Sequence, residues 1–579
     1  MLAVSSMIIL LTSIFVPSII QPKNLVAGTS SLDGESPSVL INLTPGSIVY
    51  EGDIVNCTVT GDPHDMFWMI NRQSPHYTFY GHDPILFDPE PTPLNATYVN
   101  LSVWAVSDQF ASYDTVQIKL KRLYFGDIQF HSTLSDGYND PDTLYSNAIV
   151  DNYLDFACLT DHAEIVNEID HTPPQPLWMF ARCVLQYLRY KFTSYDEWQI
   201  IKDTTQEYYQ PGRFTTLLGF EYSPGPWYPG GHLWSEHGWE DVGHVCFYYK
   251  DVYADAPEYS AGDQYTFDDV FQAMADEWDK GHYNIGFPHH PLMKIGSWGE
   301  YTVNWSFLAS GMEHPEARNQ ILRGVETYSK WGSAIGKYSG YPMIWPYESK
   351  SMVDHPSYWV ENGLWEWSKH PLKNQRFALI ASSDNHAVDR PGSASMESRV
   401  AKSHPNPAGI IAAYAVHNTR SEIWDALNTC DVYGTQALKI RANIRFDDHL
   451  ANGRWINCTS PLSIQIAAQS TFPGVDSSGR SMKPHGYSAD ELEYPISDIW
   501  VLKKDTDKGQ PWCKVLAHLT PNTNLVVATI EDADVQPNDF YYVVIRQHGQ
   551  DMELAQDSET HRDQYTAFIG PVYIDQVTS

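Results

Sequence analysis

Six times in the middle of this chain an apolar, strand-like run begins or ends in His, Asp, Glu or Gln. The runs are LYFGDIQFH (123–131), DFACLTDH (155–162), FTTLLGFEYS (214–223), GHVCFYY (243–249), YNIGFPHHP (283–291) and FALIASSDNH (377–386). Side chains two apart on a strand point the same way, so Gln129 and His131 share a face, as do Asp384 and His386. One such ending is ordinary loop composition; six drawn from the same ligand types describe an α/β architecture that gathers a site at the ends of its strands. Glu221 closes an apolar run, where an uncompensated carboxylate is costly, and a bridging metal ion removes that cost. Asp161 with His162, then His244, then His289 and His290 complete the set. Imidazole and carboxylate mixtures suit Zn, Mn or Fe, and a carboxylate can bridge two such ions.

The flanks read differently. From 38 to 122, short alternating strands broken by Gly, Pro, Asn and Asp predict a β-sandwich, immunoglobulin-like in architecture, with Trp68 in its core. From 123 to 439, apolar strands alternate with helical stretches. In one of these, Val270, Met274 and Trp278 recur at helical spacing before Gly281 stops the helix. From 440 to 579 strands return, and a second β-sandwich is expected. Residues 1–28, an uncharged apolar run to Ile20 followed by Pro22, Lys23 and small residues, read as a signal peptide or N-terminal anchor. Either reading gives a secreted or cell-surface protein, with membrane anchoring one option. Sequons at Asn42, Asn56, Asn95, Asn100, Asn304 and Asn457 suit that surface.

A formal net charge of -34 repels phosphate backbones, so no nucleic-acid partner is expected. Seven cysteines without CxxC pairs write neither a zinc ribbon nor a disulfide framework; Cys458 with Cys513 is the one plausible bridge.

The ordered motifs YFGDIQFHSTLSDG, LTDH, GFEYS, FPHHP, VETYSKWGS, SSDNHAVDRPGS and NTRSEIWDALNTCDVYGTQA resemble the PHP (polymerase and histidinol phosphatase) superfamily of metal-dependent phosphoesterases, and more closely its DUF3604 branch. The resemblance implies a multidomain protein with a central α/β, distorted (β/α)7 barrel flanked by the two β-sandwiches. It also implies two or three divalent transition metal ions per chain. Carried across, the first-strand His-x-His falls on Gln129 and His131, so one ligand His is replaced by an amide. His162, Glu221, His244, His289 (or His290), Asp384 and His386 match the remaining ligands, and Asp136 lies where a further one is often placed.

The implied reaction is hydrolysis of a small-molecule or glycan-linked phosphoester, with Asp161 and Arg390 as candidate catalytic residues; a guanidinium suits bidentate contact to phosphate. The Trp- and Gly-rich loop before His244 is expected at the pocket rim. The competing class is a non-catalytic cell-surface glycan- or ligand-binding protein with a structural metal site, which 19 Trp and 36 Tyr would serve by stacking on sugars.

Overall fold

A computed structural model of the chain describes residues 38–60, 65–70, 78–80, 89, 91–106, 111–135, 137–150, 153–163, 196–222, 244–255, 267–289, 291–295, 299–330, 332–336, 359–386, 391, 408–436, 438–470, 495–548 and 564–578. The central strands, labelled here in chain order, are β1 (Ala111–Asp127), β2 (Phe156–Leu159), β3 (Thr215–Tyr222), β4 (His244–Tyr249), β5 (Asn284–His289), β6 (Gly324–Ser329), β7 (Ala378–Ala381), β8 (Gly409–Ala415) and β9 (Val432–Gln436).

Strands β5, β4, β3, β2, β1, β8 and β9 lie side by side in that order. The β1–β2 and β2–β3 pairs are parallel, whereas β4 runs antiparallel to both neighbours. Strands β6 and β7 pair with each other in a separate sheet. Single parallel bridges, Gly286 to Leu322 and Phe130 to Asn385, tie that sheet to β5 and to the end of β1. The architecture is therefore multidomain and strand-rich, but the expected closed (β/α)7 barrel is not formed by the described strands: the ladder follows an open path. The ladder is interrupted on both sides of β6 and β7, where single bridges stand in place of continuous strand pairing.

Alternation along these strands sorts their side chains into two cores. Leu159, Leu218, Phe220, Phe247 and Tyr249 belong to the large core. Cys158, Leu217, Cys246, Phe287 and Ile380 belong to a second, smaller one, packed with Trp424 and Leu427 of the helix Arg420–Asn428. That helix starts where the sequence says it should: the Thr419 side chain accepts from the Glu422 N–H, which offsets one orphan donor of the first turn. The helix Phe267–Asp279 buries Val270 and Met274 and ends before Gly281, whose φ of 91° is glycine territory.

Strand β1 makes the expected boundary at 122/123 invisible to the backbone. Its first half pairs with the strand Val99–Val106 around the N-terminal core, where Trp68 is fully buried, and its second half pairs with β8. Glu51 pins the junction by accepting from the Leu123 N–H at 2.8 Å and pairing with Arg441, so all three segments meet at one buried carboxylate. On the far side, β9 pairs with Gln564–Thr578, and so with the antiparallel strands Phe540–His548, Ile496–Lys504 and Cys513–Leu519. A four-stranded sheet of His449–Leu450, Arg441–Phe446, Leu462–Gln469 and Leu525–Asp532 completes the C-terminal segment. Cys458 and Cys513 are both free and buried, so the bridge expected between them does not form. Among the described residues no helix is long and apolar enough to cross a membrane. Residues 1–28 lie outside the described residues, as does the loop 223–243.

Candidate metal centre

The ligand types continue the face of the second core. Glu221 lies four residues past Leu217, His244 two before Cys246 and His289 two past Phe287, so period-two alternation turns all three to the same side. Gly219 stands between Leu217 and Glu221 because a Cβ there would come within 2.7 Å of both Cys158 Sγ and the Phe247 carbonyl oxygen. Past β7 the chain turns sharply: Asp384 adopts φ 50°, a left-handed conformation that costs a non-glycine residue about 1 kcal/mol. Two backbone bonds hold it there, Asp384 N–H to the Gln129 carbonyl and His131 N–H to the Asn385 carbonyl, each 2.9 Å.

The side chains converge on Glu221, which is fully buried. Its Oε1 lies 2.7 Å from His244 Nδ1, 2.9 Å from His289 Nε2 and 3.5 Å from His162 Nδ1. Its Oε2 lies 3.1 Å from His131 Nε2, which is also 3.1 Å from Asp384 Oδ1. The His386 ring stacks on His131 with centroids 3.9 Å apart, and His162 stacks on His131 at 4.5 Å. Three overlapping groups result, each with ligand atoms within 4.8 Å of one another: Glu221 with His244 and His289; His131 with Glu221 and Asp384; His131 with His162 and His386. The first two are buried throughout, whereas His162 and His386 remain partly open. The structure thus brings together Gln129, His131, His162, Glu221, His244, His289, Asp384 and His386. Asp136, His290 and Arg390 lie outside the described residues.

Charge is the dominant feature of this cluster. Burial and the neighbouring His386 both oppose protonation of His131, yet its hydrogen bonds to Asp384 and Glu221 outweigh them and hold it up at about 9. Burial pushes the Glu221 carboxyl up, and the surrounding charges of His289 and His162 with the hydrogen bonds from His131 and His244 reverse this, holding it well below the ordinary range. A buried carboxylate ringed by imidazoles is a site poised for positive charge, and divalent ions of the Zn, Mn and Fe kind fit this donor set.

Gln129 stands inside the cluster. Its Nε2 lies 3.1 Å from Glu221 Oε2, 3.2 Å from Asp384 Oδ1 and 3.0 Å from His289 Nδ1, while its Oε1 lies 2.9 Å from Ser382 Oγ. Asp161 faces elsewhere: its carboxylate accepts from the Ser132 N–H and hydroxyl, each at 2.7 Å, and from the Ser135 hydroxyl. That makes it a positioning group for the turn after His131 rather than a residue aimed at the ligands. Four neighbours escaped sequence reasoning. Asp127 accepts from the Gln129 and Ser383 N–H groups at 3.2 and 3.0 Å, clamping the ends of β1 and β7 together. Buried Lys330 donates to Asn385 Oδ1 at 3.4 Å. Ser382 hydrogen-bonds to buried Glu326. Glu326 lies in the motif VETYSKWGS, within β6 rather than at the end of an apolar run.

Solved structures overlap this chain at low identity. A two-domain protein containing a predicted PHP-like metal-dependent phosphoesterase from Bacteroides vulgatus is 12% identical, covering 77% of this chain and 95% of its own, with a TM-score of 0.31. A Bacteroides uniformis β-glucuronidase is 8% identical, covering 93% of this chain and 61% of its own, at 0.18. Overlaps this loose do not define the fold. No curated protein matches the chain. The family described as "Protein of unknown function (DUF3604)" matches residues 175–289 and 368–453, segments that contain Glu221, His244, His289, Asp384 and His386. The central region of this chain is related to DUF3604.

Proposed function

We propose that this chain is an exported metal-dependent hydrolase of phosphoesters, with its central strands an opened form of the PHP-like barrel. The observation that carries the reading is the sharing of Glu221 and His131 among three ligand groups, an arrangement that would suit two or three ions side by side. Divalent ions so placed lower the pKa of a bound water and stabilise charge that develops on a phosphoryl group. Glu221 would bridge the two buried positions, and His131, with one free lone pair, would serve either the second of these or the more open position beside His162 and His386. Asp161 and Asp127 fix the strand ends that carry them. Arg390 and buried Lys330 are the cations assigned to the substrate anion. Export is supported by the six sequon asparagines, all of which are exposed, and treatment of chain made in a glycosylating host with an N-glycosidase should increase its mobility.

The direct test is turnover of a chromogenic phosphomonoester and phosphodiester by full-length chain purified without chelators. Turnover that is lost on chelation and restored by Mn or Zn is expected. A chain that holds two or more ions and hydrolyses neither ester would overturn the hydrolase reading in favour of a binding protein with structural metals.

A further inference from the structure

We infer that Glu326 and Ser382 turn the Gln129 amide so that its oxygen faces Glu221, Asp384 and His289, making this one position richer in oxygen than an imidazole there would make it and suited to Mn(II)- or Fe(II)-like ions over Zn(II). The inference rests on the metal-hydrolase reading and deepens it at a single position. It comes from counting protons. The Ser382 hydroxyl lies within hydrogen-bond reach of Glu326 Oε2 and 2.9 Å from Gln129 Oε1, yet it has one proton to give. A carboxylate is the stronger acceptor, so the proton goes to Glu326 and Ser382 must accept from Gln129. The amide has one end that can donate, Nε2. That end belongs against Ser382, and the near-isosteric oxygen takes the place 3.1 Å from Glu221 Oε2 and 3.2 Å from Asp384 Oδ1.

Turned this way, the amide explains why Gln is workable at a His position. Three oxygens, from Gln129, Glu221 and Asp384, gather beside two imidazoles, His131 through its Nε2 and His289, whose Nδ1 lies 3.0 Å from the same end of the amide. An amide oxygen pointed at two carboxylates is repelled unless a cation lies between them, so the orientation and the ion support each other. Neutral carbonyl oxygen beside carboxylates suits Mn-like ions, whereas the replaced imidazole would suit Zn. The neighbouring group of Glu221, His244 and His289 keeps its imidazoles, so two positions a few ångströms apart would prefer different ions. Glu326 is then a positioning residue: it touches no ion and acts through Ser382 and Gln129.

Glu326→Gln breaks the proton count. An amide at 326 can donate to Ser382, which frees the hydroxyl for Gln129 Oε1 and lets Gln129 Nε2 turn inward. The test is ion content and identity per folded chain, measured by mass spectrometry after Mn/Zn competition, for wild type, Glu326→Gln, Gln129→His and the double variant. Wild type should carry Mn beside Zn. Glu326→Gln should weaken Mn binding by about tenfold or more while keeping the other ions. Gln129→His, alone or with Glu326→Gln, should fill the position with Zn, because imidazole needs no help from Ser382. Unchanged Mn content in Glu326→Gln overturns the inference, as does a wild type that fills only the other two groups. Should Glu326→Gln fail to fold, an unshifted metal preference in Gln129→His overturns it instead. A chain empty at all three groups overturns the hydrolase reading and this inference together.

Discussion

Two places in this molecule bury several carboxylates at the ends of strands, and they neutralise them differently. In the C-terminal segment, Lys503 Nζ lies 2.7 Å from Asp532 Oδ2 and 3.2 Å from Asp539 Oδ2, and the Tyr541 hydroxyl donates to Asp532 at 2.7 Å. The cation is covalently part of the chain. Burial works to raise the Asp532 carboxyl, but the hydrogen bonds from Lys503 and Tyr541 hold it low. Burial wins at Asp539, which is raised despite the same lysine. One ammonium therefore serves one carboxylate well and the second poorly. At the centre, Glu221 and Asp384 face imidazoles and an amide instead, groups whose positive charge can be exchanged for a bound ion. A fixed lysine makes a structural pin; a ring of histidines makes an exchangeable site.

The largest test of that contrast is Glu221→Ala. Glu221 belongs to two of the three groups, so the variant should lose both buried ions by mass spectrometry, with turnover falling on the order of 10³-fold or more. Retention of both ions would break the comparison, because the centre would then not depend on its shared carboxylate. Next in size is Lys503→Met, which removes the lysine paired with Asp532 and leaves Asp539 only the charge of Lys504, and should cost about 3–5 kcal/mol of stability in denaturant unfolding. Its ion content should match wild type. Metal loss in Lys503→Met, or no loss of stability, would mean the two clusters are not independent in the way their chemistry says.

A pair of buried histidines sharpens the same point. His131, beside carboxylates, is held up at about 9. His370 is held down to about 4, chiefly by burial and then by the Arg318 guanidinium 3.0 Å from its Nε2. Because the folded value of His370 lies below its unfolded one, the unfolded chain binds more protons between pH 6.5 and 4. Its contribution is therefore fully present above pH 6.5 and is lost as pH falls through that window, up to ~3 kcal/mol. His370→Gln should flatten this part of the pH–stability curve; an unchanged slope would assign the effect to other groups.

The centre was legible in the sequence because strand ends are: an apolar run that stops on His131, Glu221 or His289 announces both the strand and the direction of its last side chain. Gln129 was legible as an oddity, though its partners were not. Nothing in local periodicity says that Ser382 will stand between Gln129 and Glu326, since Glu326 comes from within β6 and the other two from just past β7 and β1. Strand direction was equally silent. HVCFYY reads the same whether it runs with or against its neighbours, so the reversed β4 had no signature. The change of texture at 122/123 falls within β1, and a strand continuing from one core into another leaves no mark on composition.

The smallest effect separates charge from hydrogen bonding within the C-terminal pin. Tyr541→Phe removes the hydroxyl that donates to Asp532 and leaves the ring, which is buried, in place. A hydrogen bond to a charged acceptor is worth about 1.5–3 kcal/mol, and with Lys503 still 2.7 Å away the low end, roughly 1.5 kcal/mol, is expected. If the loss instead equals that of Lys503→Met, the lysine charge is not what neutralises Asp532, and the contrast drawn between a fixed and an exchangeable cation loses its first term. If the double variant loses less than the sum of the single ones, both partners act on the same carboxylate, as one hydrogen-bonded unit. Ion content identical to wild type in all three variants would keep that unit separate from the centre, where Glu221 and Asp384 lie among imidazoles.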